Sequence, residues 1–241
     1  HTRPLLRRYA QRGLLQARVP ERDPRPVWIK MEPAEQALYE RIEEYIAEFY
    51  ARYEAERHGL GFVMTVYRRR LTSSFAAVRA SLTRRLDYLR QRRPDLGLTE
   101  EDLEQAELEQ DVSEELPQAL QRAFVVEETR YLDDFVRELR LLGDDSKLAT
   151  LLDLLEELFR SHETVAVFTQ YTDTMDHLRE RLRQVYGGQV ACYSGRGGEA
   201  WRNGAWRPVT KEAIKNGFRA GQVKILVCTD AASEGLNLQT C

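Results

Sequence analysis

"TVAVFTQYTDTMDHL" (164–178) passes directly from a buried strand to a helix. Its first part, "TVAVFTQ" (164–170), is a short apolar run rich in β-branched residues, the pattern of a strand covered on both faces. From Thr172 the apolar spacing lengthens to that of a helix over 172–186, with Thr172 or Asp173 expected at its cap. Two further runs, "QVACYS" (189–194) and "VKILVC" (223–228), also read as strands. Helical patterns at 146–160 and 210–220 alternate with them. This alternation implies an α/β fold, a parallel sheet with right-handed crossovers. Ligands of such sheets bind outside the carboxyl ends of the strands. Two polar stretches lie at such ends: "TQYTDT" (169–174) and "TDAASEGLN" (229–237).

Between the second and third strands, residues 195–209 read as a Gly- and Trp-containing loop anchored by Trp201 and Trp206. Arg196, Arg202 and Arg207 there are able to touch a backbone phosphate. The loop lacks the Gly-Lys-Ser/Thr ending of a phosphate loop and the spacing of a dinucleotide fingerprint.

Upstream of Gly143 the period is helical. Residues 1–30 are basic and Pro-rich, read as an extended linker with one short helix at 3–12. Amphipathic helices are expected over 32–56 and, after Gly59 and Gly61, over 62–92 as one segment. Thr99 and Asp102 open an acidic helix to about residue 110, and Pro117 opens another, ending near Leu142. The expected organisation is a basic linker (1–30), a charged helical insertion (31–142) and an α/β lobe (143–241).

The 241 residues are 42% hydrophobic and 31% charged, the composition of a soluble globular chain. The net charge of -3 conceals segregation. Residues 68–93 hold nine Arg against one Asp, and residues 95–138 hold fifteen acids against three Arg. Two readings of the basic block stay open. Arg68, Arg69 and Arg70, with the arginines that follow, suit salt-sensitive phosphodiester contacts. Alternatively, they pair internally with the acidic helices. Three cysteines without CxxC or Cys/His spacing argue against a disulfide framework and a zinc site. No apolar run reaches the length of a membrane span and no signal peptide opens the chain, so the expected location is cytoplasmic. The first residue is His1 rather than Met, which reads as an excerpt of a longer protein.

At the strand ends, Thr169 and Gln170 stand beside a helix N-terminus, a ready anion site. Thr229, Asp230, Ser233, Glu234 and Asn237, with small residues between them, suit contacts to phosphate. Simple helix capping, by Thr172 or Asp173 in the first stretch and by Asp230 or Ser233 in the second, is the alternative reading of each.

Together these segments resemble a known family. "VAVFTQYTDTMDHL" resembles motif IV of superfamily II helicases and "ILVCTDAASEGLNLQ" (225–239) resembles motif V, in the right order on successive β-α units. The "SEGLNLQ" ending resembles the bacterial and archaeal branch of the SWI/SNF-type ATPases more than the DEAD-box RNA helicases. "LLRRYAQRGLLQARVPERDPRPVWIKMEPAEQALYERI" is similar to the stretch that links their two motor lobes. "YRRRLTSSFAAVRASLTRRL" is similar to a helical segment of bacterial members, some of them phage-defence helicases.

The resemblance implies a RecA-like lobe of the P-loop NTPase type in a DNA-dependent ATPase that moves on duplex DNA or remodels complexes bound to it. It implies nucleic-acid contacts from Thr169, Gln170 and Thr229. Asp230, Gly235 and Asn237 would couple them to the ATP cleft. Glu234 lies in the same loop, at a position that is Arg or Gly in other members. ATP and magnesium would be held mainly by an N-terminal lobe, since no Gly-x-x-x-x-Gly-Lys-Ser/Thr or DExx sequence occurs here. The "QRxGRxxR" motif that supplies the arginine finger is also missing. The expectation is therefore a truncated lobe with no catalytic or metal-binding residue of its own, inactive alone as an ATPase. An RNA-directed helicase, or a protein-binding adaptor gripping a partner through the acidic helices 95–138, stays open as an alternative.

Overall fold

The computed structural model describes residue 12 and residues 23–56, 61–91, 99–104 and 118–229. By its internal contacts the chain divides into two compact units, His1–Lys30 and Met31–Cys241. In the first, Arg25 pairs with Asp23 at 2.7 Å and Trp28 is 91% exposed. The short helix expected at 3–12 lies outside the described residues.

The second unit begins with helices. They are α1 (Pro33–Glu56), α2 (Gly61–Ser73), α3 (Phe75–Arg90), α4 (Glu100–Glu104) and α5 (Gln118–Leu141). The single segment expected over 62–92 is two helices. Ser74 takes an extended conformation, φ -166°, and its hydroxyl accepts the Ala77 N–H at 3.0 Å. Serine in that role ends one helix and starts the next, because a side-chain acceptor replaces the missing intrahelical carbonyl. Apolar faces meet in one core. Leu38, Ile42 and Ile46 of α1 pack with Tyr67 and Leu71 of α2, Val78, Leu82 and Leu86 of α3, and Leu132 and Phe135 of α5. A charged pair lies beside this core, where Arg85 Nε donates to Glu128 Oε1 at 2.9 Å and both side chains are buried. The Tyr45 hydroxyl donates to the same carboxylate at 3.2 Å.

The α/β part runs α6 (Ser146–Leu158), β1 (Val165–Thr169), α7 (Thr172–Tyr186), β2 (Val190–Ser194), β3 (Gly197–Arg202), β4 (Ala205–Val209), α8 (Lys211–Arg219) and β5 (Ile225–Thr229). Strand order is β1-β5-β2-β3-β4. β1, β5 and β2 are parallel, as the alternation of helix and strand requires. β5 lies between β1 and β2, and all five of its residues are buried. Alternate residues face opposite layers. Ile225 and Val227 join Leu148, Leu155, Met175, Leu178 and Leu182 of α6 and α7. Leu226 and Cys228 join Ile214 and Phe218 of α8.

The expected loop at 195–209 is instead a β-hairpin that extends the sheet antiparallel to β2. Asn203 and Gly204 both have positive φ, 53° and 76°, at its turn. That is the backbone of a two-residue hairpin turn matched to strand twist. The "NG" pair between Trp-bearing runs was the available signal, outweighed by the glycines at 195–198. Trp201 and Trp206 are cross-strand partners with ring centroids 5.6 Å apart. Arg183 and Arg179 of α7 lie over Trp201 and Trp206 at 4.2 and 5.0 Å, and the Trp206 indole N–H donates to Glu180. The hairpin is thus fastened to α7 rather than left as a loop.

The helical part meets the α/β part through charges aimed at helix ends. Glu35 of α1, itself buried, accepts the Ser146 N–H at 2.6 Å at the start of α6. Lys147 Nζ donates to the Thr72 and Ser73 carbonyls, both at 2.9 Å, at the end of α2. Each charge has the sign that complements the helix end it meets.

Candidate nucleic-acid interface at the strand ends

β1 and β5 are hydrogen-bonded neighbours in parallel register, and their last residues, Thr169 and Thr229, are partners. The two threonines singled out in separate motifs therefore stand side by side, about 4.8 Å apart across the sheet. Thr229 is 2% exposed, whereas Thr169 and Gln170 are half-buried. Asp230, Glu234, Gly235 and Asn237 lie outside the described residues, as does the capping role considered for Asp230 or Ser233. No described side chain is therefore assigned to ATP.

Beyond Gln170 the chain turns at Tyr171, the N-cap position of α7, which has an extended backbone and makes no side-chain capping bond. Capping by Thr172 or Asp173 was expected. The acceptor instead comes from the acidic insertion, because both residues already lie inside the helix. The Glu101 carboxylate accepts the Thr172 N–H at 3.0 Å and the Thr172 hydroxyl at 2.8 Å. The anion position at this helix N-terminus is thereby filled from within the chain.

Arg70 lies beside this contact with its side chain wholly buried. Its Nε donates to Asp102 at 2.6 Å, Nη1 to Asp173 at 2.5 Å and Nη2 to Thr99 Oγ1 at 3.2 Å. Its guanidinium sits over the Tyr171 ring, 4.6 Å from the centroid. Burial alone would lower its pKa, but the bonds to Asp102 and Asp173 outweigh that and raise it. Burial pushes the Tyr171 hydroxyl up to about 12, against the opposing charge of Arg70. Arg84 also donates to Asp173, at 3.2 Å, while Ser73 and Ser74 share hydrogen bonds with Thr174 at 2.9 and 2.8 Å.

The arginine candidates separate accordingly. Arg68 is exposed and pairs with Glu43 at 2.9 Å. Arg69 is exposed. Arg70 is turned inward, away from any external phosphate. Much of the basic block meets carboxylates of the same chain: Arg70 with Asp102, Arg85 with Glu128, and Arg90 with Asp133 at 2.7 Å. In the hairpin Arg196 pairs with Asp176 at 2.6 Å, while Arg202 and Arg207 are exposed. Asp173 and Glu101 join the strand-end site although sequence reasoning gave them no part in binding. The Thr99/Asp102 start signal located α4, but nothing local marked where α4 would dock.

Among the described residues no group of three or more His, Cys, Asp and Glu is arranged to hold a metal ion. No helix among them is long and apolar enough to cross a membrane.

Comparison with known proteins gives one family-model match, in the α/β part. Residues 146–241 match the family model described as "Helicase conserved C-terminal domain". A search of curated proteins finds no match. Among solved structures, one match is the crystal structure of the Pyrococcus furiosus Hef helicase domain, with 15% identity and a TM-score of 0.46. The match covers 88% of this chain and 46% of that chain, so the chain spans about half the length of this relative. The α/β part, a mostly parallel sheet flanked by helices and extended by an antiparallel hairpin, thus matches this model and has an α/β fold like that of a helicase RecA-like lobe.

Proposed function

We propose that this chain supplies the second motor lobe of an ATP-dependent translocase of the SWI/SNF type, which moves on duplex DNA or remodels protein–DNA complexes. One observation carries the reading: Thr169 and Thr229, from the stretches that resemble motifs IV and V, are register partners at adjacent carboxyl strand ends. At this strand end the half-buried Thr169 suits contact with a backbone phosphate and the buried Thr229 supports it from the next strand, since phosphate contacts position a protein without reading sequence. ATP and magnesium would be held mainly by a partner lobe, with Asp230, Glu234, Gly235 and Asn237 linking that cleft to the DNA contact. The 241-residue chain alone is then inactive as an ATPase.

A second reading makes the helical part a protein-binding module. It is favoured by the pairing of Arg70, Arg85 and Arg90 within the chain, which leaves less of the basic block for DNA.

The deciding experiment measures binding of duplex DNA, single-stranded DNA and RNA across a salt series, with ATP turnover measured alongside. The translocase reading expects salt-dependent duplex binding, weakened by Thr169→Val, and no turnover. Preference for RNA would redirect it to an RNA helicase. Absence of any nucleic-acid binding would leave the adaptor reading.

A further inference from the structure

We infer that Arg70 is a positioning residue for the strand-end turn Thr169–Tyr171, setting where Thr169 and Gln170 stand without meeting nucleic acid itself. The inference rests on the reading that this turn contacts nucleic acid.

Arg70 belongs to α2, yet its bonds converge on the residues just after Thr169 and Gln170. Tyr171 lies under the guanidinium at 4.6 Å, and Asp173 accepts from Nη1 at 2.5 Å. On its other side Arg70 holds Asp102 at 2.6 Å and Thr99 at 3.2 Å, which fix α4. From α4, Glu101 reaches the Thr172 N–H. Three successive residues, Tyr171, Thr172 and Asp173, are therefore held from outside their own strand and helix, two by Arg70 directly and one through α4. A planar guanidinium can serve these partners at once because its donors form a rigid fork and its face stacks on a ring. Burying a charge where an apolar side chain would pack is not needed for stability. The arrangement makes sense if it secures one geometry, and the backbone it secures is the exit of β1.

The test is anisotropy titration of a labelled DNA duplex with the chain across a salt series. It compares wild type with Arg70→Lys, Arg70→Gln, Thr169→Val and the double variant Arg70→Lys/Thr169→Val, each confirmed folded by circular dichroism. Arg70→Lys keeps the charge but cannot span Asp102, Asp173 and Thr99 together. Binding should weaken about five- to tenfold, the worth of about one hydrogen bond. Thr169→Val should then cost little more in that background, because coupled residues are non-additive. In Arg70→Gln the salt slope should stay that of wild type. A slope smaller by about one would reveal a direct phosphate contact and overturn the inference. So would an Arg70→Lys variant that binds as wild type and only melts earlier. That arm does not depend on Arg70→Gln folding. If wild type binds no nucleic acid, the translocase reading fails and this inference fails with it. If Thr169→Val weakens binding while Arg70→Lys does not, this inference alone fails.

Discussion

Glu101 caps a helix that begins 71 residues later: its carboxylate accepts the Thr172 N–H at 3.0 Å and the Thr172 hydroxyl at 2.8 Å. Loss of a helix-capping acceptor costs about 1 kcal/mol. Glu101→Ala should therefore lower the melting temperature by about 2–4 °C, as for domains of this size, read by circular dichroism. Glu100→Ala, at an exposed neighbour on the same helix, should melt within about 1 °C of wild type. Equal melting of the two variants would mean that α4 does not secure α7.

Arg85 and Glu128 form the buried ion pair beside the helical core. Arg85→Ala removes the paired cation from the buried Glu128 carboxylate, which also accepts from Tyr45. Breaking such a pair costs about 3–5 kcal/mol, more than replacing both members. Urea unfolding should show a large loss for Arg85→Ala and a smaller one for Arg85→Met/Glu128→Gln. A double variant less stable than the single would refute this account.

Gly198 sits where a side chain has no room. A Cβ there would lie 2.6 Å from Ile214 Cδ1 and 2.7 Å from the Val209 carbonyl oxygen. The Ile214 tip can move, but the Val209 carbonyl belongs to the paired strand β4. Gly198→Ala should destabilise by about 1–3 kcal/mol, with faster amide exchange in β3 and β4. Unchanged exchange would show that the strands tolerate a wider spacing.

His177 of α7 is held neutral: burial lowers its pKa below 6.5, with Asp145 and Asp144 opposing the shift and Arg79 and Arg181 adding to it. The unfolded chain therefore takes up the proton first as pH falls. This group's contribution is complete above pH 6.5 and is lost as pH drops through that value toward the lower folded pKa. The melting temperature of wild type should fall over that window, and His177→Gln should flatten the decline. An identical decline in both would assign it to other groups.

The α/β alternation was legible because buried strands and amphipathic helices differ in local period. The runs at 164–170, 189–194 and 223–228 became β1, β2 and β5 within two residues at each end. The hairpin was missed although "NG" at 203–204 signals its turn, because nearby glycines imitate a loop. The break at Ser74 was missed because apolar spacing continues across it, while the cap depends on one hydroxyl.

By itself the sequence determined the strands β1, β2 and β5 and the helices that alternate with them, and that Thr169 and Thr229 stand at strand ends. Those facts follow from neighbours within a few residues of each other. The tertiary structure alone decided that Thr169 stands beside Thr229, that Glu101 caps α7, and that Arg70 faces Asp102 and Asp173 rather than solvent. An arginine looks the same in sequence whether its partner is a phosphate or a carboxylate. The partner is fixed by which distant residues the fold brings within about 3 Å, and a buried charge is stable only where such partners are found.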